Sequence, residues 1–235
     1  MIAVIREKSA NPYDEPMRLI DELQVEHALI DAVAGSLRTY VDLRLEGAGD
    51  AADGARLIRF LRVFAGHFHH AREEDTLFEA LLQRANLPED GPIATLRNDH
   101  RMTGALLDQM ETVSGLEPLS NEAGRELKRL AVAYSRMLWH HIDAENSVLF
   151  PESEARLRRQ GVLELPSREM TSEEREAMVL GQALVVRYPP LDDVEAVRGD
   201  GCVCCPALVD GCPGLERSWW NESEWEEFED HMAAD

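Results

Sequence analysis

A doubled motif limits what this chain can fold into. His69-x-x-x-Glu73, followed by Leu77-Phe78, returns as His141-x-x-x-Glu145, followed by Leu149-Phe150. Aligned on the Leu-Phe pairs, the His and Glu positions share one offset of 72 residues. Upstream, Glu26-His27 and Asp99-His100 repeat at an offset of 73. On an α-helix, positions i and i+4 stack one turn apart on one face. Each His-x-x-x-Glu therefore aims an imidazole and a carboxylate the same way, and the chain reads as a duplicated helical hairpin.

The periodicity around these residues supplies the helices. Leu19, Leu23, His27, Ile30, Ala34, Leu37 and Val41 recur at three- and four-residue steps, an amphipathic helix with His27 in its apolar stripe. Gly47 to Gly54 breaks it, and Ile58, Leu61, Ala65, His69 and Glu73 mark a second helix. After the breakers of Asn86 to Pro92, a third carries Ile93, Leu96, His100, Thr103 and Leu107. A fourth carries Leu127, Leu130, Tyr134, His141, Glu145 and Val148, with Pro151 expected to end it. Four helices with short connections predict an all-α, up-down-up-down bundle over residues 15–155. The four histidines then fall near one level, with the middle turn asymmetric.

Four imidazoles and two carboxylates directed into an apolar core are costly to bury unless something compensates them. Two metal ions are such a compensation, and this donor set suits borderline or hard cations. The residue pattern resembles the hemerythrin-like (HHE cation-binding) family over roughly residues 15 to 155. The resemblance rests on His27, His69-x-x-x-Glu73-Glu74-x-x-Leu77-Phe78, His100 and His141-x-x-x-Glu145-x-x-x-Leu149-Phe150-Pro151. It implies a four-helix bundle with two non-haem irons bridged by carboxylates; the donor types leave Mn or Zn open. By that likeness Glu73 and Glu145 bridge, His27 and His69 serve one metal, and His100 and His141 serve the other.

The neighbouring histidines are expected outside the ligand set. His70 is one residue off the face defined by His69, and its repeat partner is Ile142. A one-residue shift turns a side chain by about 100°. His67 aligns with Trp139 and His140 with Phe68, which favours packing or an outer hydrogen bond. Glu26, Glu74 and Asp99 are expected to be solvated or to orient ligands. Four residues after His100, where oxygen-carrying hemerythrins place a further His, stands Gly104. The expectation is an open position on the metal of His100 and His141, and reactive or sensing chemistry over reversible oxygen carriage.

Residues 160–235 differ in kind. The chain's net charge is −21, and 18 acids against 5 Arg fall from residue 161 onward. Thr171 and Glu174 have capping-box spacing, predicting a helix to about Val186 that Tyr188-Pro189-Pro190 stops. Cys202, Cys204, Cys205 and Cys212 form a cluster whose spacing fits neither paired zinc motifs nor ferredoxin runs. Zinc or an iron–sulfur cluster on thiolates, and a redox thiol set, are the readings open for it.

The acidity argues against nucleic acid, whose phosphates need clustered Lys and Arg. The absence of a long apolar run argues against a membrane span, and the expected setting is cytoplasmic. The functions expected are binding or reaction with O2, peroxide or nitric oxide at a di-iron centre or, alternatively, iron, oxygen or redox sensing or iron handling without turnover, signalled through the Cys-containing tail. A structural dizinc bundle is the third reading. The redox partner is not legible.

Overall fold

The computed structural model describes residues 17–89, 91–116 and 118–191. Its regular structure is entirely helical among these residues, the all-α class expected. Helix α1 spans Arg18–Leu45. Helix α2 runs over 51–84 without a break but changes pitch, with π-helical turns at Leu61–His70 and Glu73–Phe78. Helix α3 is Pro92–Ser114, and α4 runs over 121–159 with a π-turn at Glu145–Leu149. A fifth helix, α5, is Ser172–Arg187.

The starts follow local chemistry. Asp50 and Ser120 each accept a hydrogen bond from a free backbone N–H of the first turn, at Ala52 (3.0 Å) and Ala123 (3.2 Å). Pro92 opens α3, where a missing N–H costs nothing. Thr171 and Glu174 form the capping box expected of α5.

One helix end differs from expectation. Pro151 does not stop α4, because it follows the π-turn at the start of a new α-helical segment, where its N–H is not needed. The stop is ten residues later, at Gly161, whose φ of +76° is the left-handed conformation glycine tolerates. Its N–H and that of Val162 bond back to Arg158 (2.9 Å) and Leu157 (2.9 Å), closing the helix end. The first connection is also shorter than Gly47 to Gly54, since Gly54 lies inside α2.

The core consists of two apolar clusters separated by a polar layer. One contains Leu19, Leu23, Leu77, Phe78, Leu96 and Leu149. The other contains Ile30, Phe64, Phe68, Leu107, Leu138 and Trp139. Along α1, His27 falls between Leu23 and Ile30; along α3, His100 falls between Leu96 and Leu107. His69 on α2 and His141 on α4 occupy the same boundary, so each of the four rods contributes one histidine to one level. Helix α5 packs on α1 and α2. Cys202, Cys204, Cys205 and Cys212 lie outside the described residues.

Candidate metal centre

Glu73 and Glu145 lie in the polar layer among the four histidines. Both are fully buried, and an unpaired buried carboxylate costs several kcal/mol. Yet none of their four oxygens accepts an aligned hydrogen bond. Imidazole nitrogens nevertheless crowd them: His69 Nε2 is 3.2 Å from Glu73 Oε1, and His141 Nε2 is 3.2 Å from Glu145 Oε1. The ion-pair distances are short while the hydrogen-bond directions are poor. These atoms converge on the space between them rather than on each other. Donors arranged in this way suit cations placed among them.

Each carboxylate spans two groups of histidines. Glu73 Oε1 faces His69 (3.2 Å) and His27 Nε2 (3.9 Å), while its Oε2 faces His100 Nε2 (3.5 Å). Glu145 Oε2 faces His27 Nε2 (3.2 Å), and its Oε1 faces His141. One set of donor atoms, from His27, His69, Glu73 and Glu145, lies within 4.8 Å of one another. A second, from His70, Glu73, His100 and His141, meets the same limit. Glu73 belongs to both.

Behind each ring stands an acceptor. His27 Nδ1 lies 2.9 Å from Asn146 Oδ1, His69 Nδ1 2.9 Å from Glu26 Oε2, and His100 Nδ1 2.6 Å from Glu74 Oε1. Asp99 Oδ2 is 3.6 Å from His141 Nδ1. An Nδ1–H held from outside leaves Nε2 as the inward donor, the usual way proteins orient imidazole toward metal. Glu26, Glu74 and Asp99 are thus orienting groups, and the signal for them was their place beside the ligand-type residues.

His70 corrects the expectation made for it. Its ring stacks on His100 with centroids 3.8 Å apart, and it joins the second donor set. The expectation assumed α-helical pitch, but this stretch of α2 is π-helical, with more residues per turn. His69 therefore faces His27 (centroids 4.6 Å) while its neighbour faces His100 on the other side of Glu73. His70 and Gly104, the latter on α3, line one cavity. No sequence pattern announces a π-turn, although the His69-His70 doublet was the available clue.

The charges within the layer are arranged unequally. Burial pulls the His69 imidazole down, but the charges of Glu73 and Glu26 outweigh it and raise it to about 9. His141 is likewise raised to about 10, against burial, chiefly by Glu145. Burial favours a neutral Glu145, yet His141 and His27 hold it well below the usual carboxylate range. His70 moves the other way: burial and the neighbouring histidines push it well below its ordinary value. It is a neutral imidazole, ready to donate a lone pair.

The two sides also differ in access. His27, His69, Glu73 and Glu145 are buried, and Phe150 stacks on His27 with centroids 5.4 Å apart. On the other side a cavity of about 490 Å³ reaches His70 and His100, bounded further by Glu74, Gly104 and Tyr134. Burial pushes the Tyr134 phenol up. None of the described helices is long and apolar enough to cross a membrane.

No curated protein and no solved structure matches the chain. The family described as Hemerythrin HHE cation binding domain matches residues 18–153, which contain every histidine and carboxylate of the layer. The chain belongs to the hemerythrin HHE cation-binding domain family.

Proposed function

We propose that this chain is a di-iron protein that binds or reacts with O2, peroxide or nitric oxide. The observation that carries it is the pair of buried carboxylates, each spanning two histidine groups and neither satisfied by an aligned hydrogen bond. His27 and His69 would hold one iron and His70, His100 and His141 the other, with Glu73 and Glu145 shared. An iron pair, when bound, supplies reversible ligand binding and electron transfer that no side chain here offers.

The residues themselves do the rest. Glu26, Asn146 and Glu74 keep the Nδ1 positions of His69, His27 and His100 occupied, so their Nε2 atoms face inward without a search over tautomers, and the Asp99 carboxylate stands 3.6 Å behind His141 Nδ1. Apolar clusters above and below exclude water from the buried side of the layer, around His27, His69, Glu73 and Glu145, which strengthens the charge interactions there. The cavity would bring small ligands to the side of His70 and His100. In the absence of metal, protons on His69 and His141 balance the carboxylates; metal entry must displace them.

The test is elemental analysis with an absorption spectrum on protein purified without added metal. Two irons per chain, with a visible chromophore in the oxidised state that azide or nitric oxide perturbs, is the expected result. Stoichiometric zinc without iron would contradict it and favour the structural dizinc reading.

A further inference from the structure

The hydrogen bonds behind His69 continue past the family match into residues 160–188. Glu26, which holds His69 Nδ1, accepts through both oxygens from Arg72 Nη2. Arg72 is 4% exposed, and its Nη1 donates to Glu22 Oε2 (3.2 Å) and Ser167 Oγ (3.3 Å). The Ser167 hydroxyl in turn donates to Glu22 Oε2 at 2.6 Å. One residue on, Arg168 Nη2 donates to the carbonyl of His67 at 2.8 Å. Both guanidiniums lie against the Phe68 ring, at 4.0 Å for Arg72 and 4.9 Å for Arg168. The segment thus grips residues 67 to 72, the turn that carries His69.

This grip is anchored at both ends. Val162 and Leu165 are buried in the core cluster that includes Leu77 and Phe150. At the other end Arg168 makes two hydrogen bonds to Glu174 (2.6 and 2.8 Å), the residue that completes the capping box of α5. Helix α5 is itself seated closely: a Cβ at Gly181 would come within 2.4 Å of the Phe60 ring. Beyond it, Tyr188 donates to the buried Asp53 at 2.7 Å. The counterpart for His100 is simpler, since Glu74 comes from α2 and bonds the ring directly.

We propose that Ser167 and Arg168 are positioning residues for the buried metal position, and that α5 holds them in place. Ser167 satisfies Arg72 and Glu22 together, which leaves Arg72 directed at Glu26 and Glu26 directed at His69. Arg168 fixes the backbone of the same turn. Docking of the extension therefore acts chiefly on how tightly His27 and His69 hold their metal; the position at His70, His100 and His141 shares only the gripped turn at His70, and His100 draws its outer partner from Glu74. The proposal rests on the two-metal reading above.

The experiment is competition of the full-length protein's iron(II) against a chelator under anaerobic conditions, resolved into two release steps. The wild type, Ser167→Ala, Ser167→Thr and Arg168→Gln are compared, with helical content measured alongside. Loss of an outer partner of a ligating histidine typically weakens metal binding by about 10- to 100-fold. Ser167 acts two groups further out, at the low end of that range, so about tenfold weaker retention is expected for Ser167→Ala and for Arg168→Gln, chiefly in one step. Ser167→Thr, which keeps the hydroxyl, should restore it. Two unchanged steps in both variants would overturn the proposal, as would equal weakening of both steps with loss of helix, which marks a merely structural role. A wild type that binds a single iron or none overturns the two-metal reading first and this proposal with it.

Discussion

The two halves of the polar layer descend from one repeated motif but have become different sites. On one side His27 and His69 are sealed under Phe150 and backed by Asn146 and by a Glu26–Arg72 pair. On the other, His100 and His141 gain His70, are backed by Glu74 and Asp99, and meet a cavity. Identical ligand spacing thus does not give identical surroundings. On the proposed two-iron reading, access and the outer acceptors decide which position retains a metal and which one meets a ligand.

The largest effect should come from the groups the halves share. Glu73→Ala is expected to abolish retention of both metals, because its two oxygens face opposite histidine groups. Metal content after gel filtration reads this, and loss of only one metal would show that Glu73 serves one half. His70→Ala should separate the halves: retention at the open position falls at least about tenfold while the sealed one is kept. Azide titration of the absorption spectrum should weaken in the same variant. An unchanged spectrum would return His70 to the outer role first expected of it.

Much of this was legible in the sequence, for a physical reason. His27, His69, Glu73, His100, His141 and Glu145 repeat at helical spacing, and helical spacing fixes a face without knowledge of the fold. The capping box at Thr171 and Glu174 was legible in the same way. What escaped depended on pitch and on distance. His70 joins the layer only because α2 turns as a π-helix there, and Pro151 is passed only because a π-turn precedes it. The link from His69 to Ser167 joins residues 98 positions apart through two other side chains, and no local pattern encodes it.

A proton count sharpens the comparison further. His69 at about 9 and His141 at about 10 stand above the ordinary 6.5, so both carry a proton at pH 7 in the metal-free protein. Metal needs the neutral rings, so loading should release about two protons, one from each half. Affinity should rise as pH climbs toward 9 to 10 and fall below it. Indicator-dye titration in weak buffer measures the release; no release would contradict the charge assignment.

The smallest effect is expected at Gly104→Ala. A Cβ there meets nothing within 4 Å, so the substitution should be accommodated and should stabilise α3 by up to about 1 kcal/mol. Urea unfolding measures it. A loss of stability would mean that the cavity wall is tighter than described, and with it the access that distinguishes the open half.

Mössbauer spectroscopy of the full-length protein loaded with ⁵⁷Fe shows whether Glu73 and Glu145 bridge a pair of unlike irons. Two quadrupole doublets of equal area from two magnetically coupled irons per chain are expected. A single iron per chain, or two irons that behave as magnetically independent, would contradict the bridge.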